Sequence, residues 1–145
     1  MTRVGLSALT GFLCTTTAFA YDEAAIIARC DAEWGTDFAM VAYCRKQQTE
    51  AGEAVALVRK EAGTNETLTT ILGRCDDEWG TDYGMVEYCV TQQQKALVAL
   101  GKPVSDVPPQ IVQAIREQCD EDWGTDYSMV AYCVEQQTTA WRSLQ

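Results

Sequence analysis

The chain has no histidine, little positive charge, only three prolines and no long hydrophobic run. Because histidine is absent, the chain has no imidazole group that could ligate zinc, act as a general base or complete a catalytic triad. Its 11 Lys and Arg residues are outnumbered by 21 Asp and Glu residues. The resulting formal charge of −10 argues against nucleic-acid binding, which depends on neutralising phosphates. We therefore expect no nucleic-acid partner, no metal centre and no cofactor.

The rest of the composition is typical of a folded domain. A length of 145 residues suits one domain, and 47% apolar against 22% charged residues is too hydrophobic for a disordered acidic tail. A membrane-spanning helix needs about twenty consecutive apolar residues. The chain has no such run, so we expect no membrane span in the mature protein.

The first twenty residues have the features of a signal peptide. Arg3 precedes a short apolar run over residues 4–13, and residues 18–20 give the small-x-small pattern that a signal peptidase recognises. We therefore predict cleavage after Ala20 and a secreted or periplasmic mature chain of residues 21–145. Lipidation of Cys14 is disfavoured because Leu13, which precedes it, is bulky. Cleavage removes Cys14 and leaves six cysteines, an even number that indicates disulfides in an exported chain.

A fifteen-residue motif, C-x3-W-G-T-D-[FY]-x-M-V-x-Y-C, occurs three times, at residues 30–44, 75–89 and 119–133. Each copy is followed by a glutamine pair, at Gln47 and Gln48, Gln92 and Gln93, and Gln136 and Gln137. The period of about 44–45 residues is that of a tandem repeat array.

The motif resembles one of the form C-x3-W-x2-D-[FY]-x-M-x2-Y-C in small secreted bacterial proteins of unassigned function. The resemblance covers the three motifs and the signal peptide, and it implies secretion without implying an activity. A looser likeness to short disulfide-stapled helical proteins of the bacterial envelope includes periplasmic lysozyme inhibitors.

Hydrophobic periodicity predicts a helix before and after each Trp-Gly-Thr-Asp turn, and no strand-like alternation is present. The turn glycines Gly35, Gly80 and Gly124 end the first helices, and the Thr or Asp that follows caps the next helix. The predicted fold is all-α, with one domain of three tandem disulfide-stapled helical hairpins (about 21–62, 63–101 and 102–145). All three prolines lie in the second connecting loop, which we expect to be flexible or to face a partner.

Cysteine pairing within each repeat is the simplest of fifteen possible connectivities. It gives Cys30–Cys44, Cys75–Cys89 and Cys119–Cys133, each closing a loop worth about 3 kcal/mol by the loop-entropy estimate. Bridged cysteines must face each other directly, because disulfides need Cα atoms less than about 7 Å apart while helix axes lie about 8–10 Å apart. A zinc site is excluded because the chain has neither a C-x2-C pair nor a histidine.

The aromatic residues of the motif have two interpretations. Trp34, Trp79 and Trp123 are either repeated binding platforms or, as we expect, core residues that pack beside the disulfides with the motif methionines. The tyrosines that precede the second cysteines are expected to be half-buried. The glutamine pairs are expected on the helix surface or in hydrogen bonds between helices.

Eleven of the 21 acidic residues surround the three turns. They are Asp31, Glu33, Asp37, Asp76, Asp77, Glu78, Asp82, Asp120, Glu121, Asp122 and Asp126. Carboxylates favour helix N-termini, but those before each glycine lie in the last turn of a helix, where the helix dipole opposes them. Either the adjoining N-terminus of the next helix compensates this charge, or the acids form a cation site or a docking face. An EF-hand is excluded because Gly80 is fifth in the loop instead of sixth.

The sequence thus predicts an exported, non-enzymatic helical repeat protein that acts by binding. Its partner is expected to be a basic protein or envelope component that contacts the acidic turns. Trp34, Trp79 and Trp123 are candidate members of that surface if they are exposed platforms instead of core residues. The alternative is a periplasmic inhibitor of a cell-wall hydrolase, since lysozyme-like enzymes are often basic and a strongly acidic surface attracts them electrostatically. An enzyme is disfavoured because short stapled hairpins leave little room for a cleft with paired carboxylates.

Overall fold

The structure, a computed structural model, describes residues 21–145, so the predicted signal peptide lies outside the described residues. Six helices follow one another: α1 (Glu23–Trp34), α2 (Phe38–Ala62), α3 (Glu66–Trp79), α4 (Tyr83–Leu100), α5 (Pro109–Trp123) and α6 (Tyr127–Ser143). No strand occurs between residues 21 and 145, and the prediction of an all-α fold with six helices is confirmed. In the same part of the chain, no helix is both long and apolar enough to cross a membrane.

The turn of each hairpin is built as the motif predicts. The three turn glycines have φ angles of +53°, +56° and +56°, in the region where only glycine avoids a steric penalty. The aspartate two residues later is the N-cap of the next helix: Asp37, Asp82 and Asp126 each accept a hydrogen bond from the backbone N–H of the methionine three residues on. Of the two candidate caps that the sequence offers in each turn, the aspartate and not the threonine caps the helix.

Disulfides close all three hairpins in the predicted pairing. The Cα atoms of Cys30 and Cys44 are 5.7 Å apart, and the Cys75–Cys89 and Cys119–Cys133 pairs are separated by 5.8 and 5.7 Å. The cysteine on the first helix of each hairpin is completely buried. Each pair of helices is therefore held together across a buried sulfur bridge.

The three hairpins stack in chain order through their second helices. In each hairpin the two helices pack against each other, while α2 packs against α3 and α4, and α4 packs against α6. No helix of the first hairpin packs against a helix of the third in the described part of the chain. The middle hairpin is therefore the only link between the outer two.

The core is largest between the first two hairpins. Its central cluster consists of Val55, Ala62, Ile71, Leu72, Cys75, Val86, Cys89 and Val90, with Val58, Leu68, Trp79, Leu97 and Tyr127 packed against it. A smaller cluster joins Ile26, Cys30 and Ala51 of the first hairpin to Tyr83 of the second. Burial of these apolar side chains is the main non-covalent force that docks the hairpins.

One expectation from the sequence is wrong, and a second, that the proline-containing loop is flexible or faces a partner, is contradicted only in its flexibility. Tyr43, Tyr88 and Tyr132 are exposed, because they lie on the faces of the second helices that no neighbouring helix covers. The proline-containing loop is not free: Val107 is buried, and Arg142 of α6 binds Asp106 through two hydrogen bonds of 2.6 and 2.8 Å.

Candidate functional site

The acidic turn of the second hairpin binds an arginine and a glutamine from the first. Arg29 Nη2 donates to Asp82 Oδ2 at 2.6 Å, and Gln48 Nε2 donates to Asp82 Oδ1 at 2.9 Å. The Gln48 Oε1 atom in turn accepts the backbone N–H of Gly84 at 3.2 Å. Asp82 therefore caps α4 and joins two hairpins with the same carboxylate.

The third hairpin repeats this arrangement with the second. Arg74 Nη2 donates to Asp126 Oδ2 at 2.6 Å, and Gln93 Nε2 donates to Asp126 Oδ1 at 2.9 Å. The Gln93 Oε1 atom accepts the backbone N–H of Ser128 at 3.3 Å. The motif turn is thus a site for one arginine and one glutamine, used twice within the chain.

The aromatic residue that follows the capping aspartate completes this interface. Tyr83 is only 6% exposed and packs against Ile26, Cys30 and Ala51. Its ring meets that of Tyr21 edge-to-face with centroids 6.0 Å apart, and its hydroxyl oxygen accepts the backbone N–H of Asp22 at 2.7 Å. Tyr127, at the same position of the third hairpin, is half-buried and packs against the central cluster.

The first hairpin carries the same turn, but no hairpin precedes it among the described residues. Phe38 is consequently 77% exposed, whereas its counterpart Tyr83 is buried. Within residues 21–145, the Asp37 carboxylate accepts only the N–H of Met40, at 3.1 Å, and it is exposed. We call Asp37, Phe38 and the neighbouring Ala39 the end face.

Three of the eight acids before the turn glycines, one in each hairpin, are paired with arginines. Asp31 pairs with Arg45, Asp76 with Arg59, and Asp120 with Arg116. Hydrogen bonds to Asp76 raise the pKa of the Arg59 guanidinium. Arginine pairing therefore accounts for one acid in each hairpin, an interaction that the sequence pattern does not reveal, and compensation by the next helix stays a prediction.

The remaining acidic residues are solvated. Glu33, Asp77, Glu78, Glu121 and Asp122 are exposed, and none of them forms an ion pair within the described chain. Anywhere between residues 21 and 145, no group of three or more Cys, Asp and Glu side chains is placed to hold a metal ion.

The tryptophans do not form a common platform. Trp34 and Trp79 are half-buried, and Trp79 packs against the central cluster. Trp123, in the hairpin with the smallest core, is exposed. The expected core packing is therefore shown for Trp79, while Trp34 is half-buried and Trp123 is open to solvent.

Comparison of the chain with protein-family models, with curated proteins and with solved structures finds no match. Its three disulfides fit a protein that folds in an oxidising compartment outside the cytoplasm. Any statement about function must therefore rest on the geometry of the turns and of the end face.

Proposed function

We propose that the protein is an exported, non-enzymatic binding module that docks a basic partner through its acidic turns, chiefly through the end face. The observation that carries this proposal is that the motif turn binds an arginine and a glutamine wherever a neighbouring hairpin is present. Asp37 and Phe38 repeat that turn and lie open to solvent. The partner is therefore expected to present an arginine and an amide beside an apolar hollow.

The electrostatics of the chain favour such a partner. The formal charge is −10, and the five exposed acids without ion pairs lie at the hairpin turns. Charge of one sign on a surface accelerates the encounter with an oppositely charged protein, while buried apolar contacts hold the complex. Phe38 supplies an exposed aromatic anchor and Asp37 the acceptor for the cation.

Export from the cytoplasm is the second part of the proposal. The apolar run and the small-x-small pattern in the first twenty residues support cleavage after Ala20, and three disulfides support an oxidising destination. We propose secretion or a periplasmic location for residues 21–145. Amino-terminal sequencing of the protein from culture medium and periplasm tests this, and an intact Met1 in the cytoplasm contradicts it.

Affinity capture with matched variants tests the docking surface. The oxidised mature protein is immobilised and exposed to envelope extract beside Asp37→Asn/Phe38→Ala and the control Glu87→Gln/Tyr88→Ala. The control removes the same charge and another exposed aromatic residue elsewhere: Tyr88 is 59% exposed and Phe38 is 77% exposed. We expect a basic protein that binds wild type and control but not the end-face variant. Equal capture by all three, or none by wild type, contradicts the proposal.

A cell-wall hydrolase of the lysozyme type is the narrower alternative for the partner, and the net charge of −10 favours it. An inhibitor should suppress a basic lysozyme at near-stoichiometric ratio and lose this effect at high salt, because screening weakens exposed charge pairs. Full lysozyme activity at a tenfold excess of the protein rejects this alternative and leaves the wider proposal to the capture experiment.

A further inference from the structure

The packing of the third hairpin leaves a groove between α4, α5 and α6. Its volume is about 630 Å³, within the range of about 300–1,000 Å³ that is usual for small-molecule sites. Its lining includes the half-buried apolar residues Leu100, Val112 and Val134 and the exposed lysines Lys95 and Lys102. The groove lies at the boundary between the second and third hairpins, whereas the end face belongs to the first hairpin.

Repeat symmetry shows how the groove arises. Four of its lining residues occupy the repeat positions of apolar residues in or against the central cluster: Leu100 corresponds to Val55, Val112 to Leu68, Arg116 to Leu72, and Val134 to Val90. Between the first two hairpins these positions close into a core. Between the second and third, an arginine replaces the buried Leu72, and α4 has 18 residues where α2 has 25. The equivalent space therefore stays open.

The groove is a cationic area on an acidic protein. Lys95, Lys102, Arg116 and Arg142 line it, against the single acid Glu135. The two arginines are held by Asp120 and Asp106, and the two lysines are exposed and form no ion pair within residues 21–145. Lys95 and Lys102 are thus the lining cations that have no carboxylate partner among residues 21–145.

We propose that this groove binds a single-chain amphiphilic carboxylate, such as a medium-chain fatty acid. The alkyl chain lies on Leu100, Val112 and Val134, where it is removed from water, and the carboxylate meets Lys95 and Lys102. The Arg142–Asp106 pair fixes the loop that forms one wall, so the groove is present before the ligand arrives. This activity is independent of docking through the end face.

Calorimetric titration of the oxidised mature protein with dodecanoate, below the concentration at which it forms micelles, tests the proposal. We expect saturable binding of one dodecanoate per chain, weakened about fivefold to tenfold in Lys95→Gln/Lys102→Gln because two exposed charge contacts are lost. The control Lys46→Gln/Lys60→Gln changes the net charge equally outside the groove and should leave the affinity within twofold.

A second measurement locates the ligand. Amide chemical shifts of α4, α5 and α6 should move on titration, and Phe38→Ala should bind dodecanoate as tightly as wild type. Absence of saturable binding, equal weakening in the two lysine variants, equally tight binding of dodecanol, or shift changes centred on the end face would overturn the proposal. A failure of partner capture at the end face leaves this result unaffected.

Discussion

Arg29 and Asp82 form a hydrogen bond of 2.6 Å across the boundary between the first two hairpins, and the same carboxylate caps α4. A local feature, the start of a helix, is thereby coupled to a contact between repeats. The side chain of Asp82 is mostly buried, so its two donors replace water that it would otherwise bind. Arg74 and Asp126 form the equivalent bond at the next boundary.

Asp82→Ala should destabilise the protein more than Asp37→Ala. Both substitutions remove an N-cap, worth about 1 kcal/mol. Only Asp82→Ala also leaves Arg29 and Gln48 without their acceptor, so we expect a total loss of roughly 2–4 kcal/mol. Denaturant unfolding at micromolar concentration measures the difference, and equal losses would show that the contacts between hairpins contribute nothing.

Removing the central disulfide with Cys75→Ala/Cys89→Ala should lower the free energy of unfolding by about 3 kcal/mol, the loop-entropy value for fifteen residues. The same change at Cys30/Cys44 or Cys119/Cys133 opens a loop of the same length and gives a matched comparison. The central pair should lose most, because Cys89 is buried in the central cluster whereas Cys44 and Cys133 are half-buried. Urea titrations of the three variants check this order.

Two glycines of the second hairpin should respond oppositely to alanine. Gly73 lies inside α3 with open space where a Cβ would stand, so Gly73→Ala should stabilise by about 0.5–1 kcal/mol. Gly80 has φ +56° and ψ −115° at the turn, a region that other residues rarely adopt, so Gly80→Ala should destabilise by about 1–3 kcal/mol through backbone strain alone. Thermal unfolding should show Tm shifts of opposite sign.

Acid should release the loop before α5. Hydrogen bonds from Arg142 lower the pKa of Asp106 below its usual 3.8. Since the folded-state pKa is depressed, the stability this pair contributes is present above about pH 3.8 and is lost as pH falls through the lower folded value. Carboxyl NMR titration should find Asp106 below 3.8 in wild type and near its ordinary value in Arg142→Met. An unchanged Asp106 titration in that variant would contradict this assignment.

The sequence predicts the hairpins well because their determinants are local. Each disulfide joins residues 14 apart, and the glycine, threonine and aspartate of each turn are adjacent. The arginine contacts between hairpins were missed because Arg29 and Asp82 are 53 residues apart and Arg29 has no distinctive spacing. One signal in the sequence identifies these contacts: Arg29 and Arg74 each stand immediately before the first cysteine of their motif.

The end face could not be predicted for a related reason. Phe38, Tyr83 and Tyr127 occupy the same motif position, and their periodicity is identical. Their burial differs because a preceding hairpin covers Tyr83 and Tyr127, whereas none covers Phe38 within residues 21–145. Exposure at this position is therefore a property of place in the stack, which a repeat pattern does not encode.

The lack of contact between the first and third hairpins has a dynamic consequence. Either outer hairpin can separate by breaking one interface, whereas the middle one must break two. Each hairpin has its own disulfide, which holds its two helices together after the hairpin separates. Partial opening therefore produces undocked hairpins that are still helical. Native-state hydrogen exchange should accordingly be slowest in α4, with faster exchange spreading inward from both ends of the array.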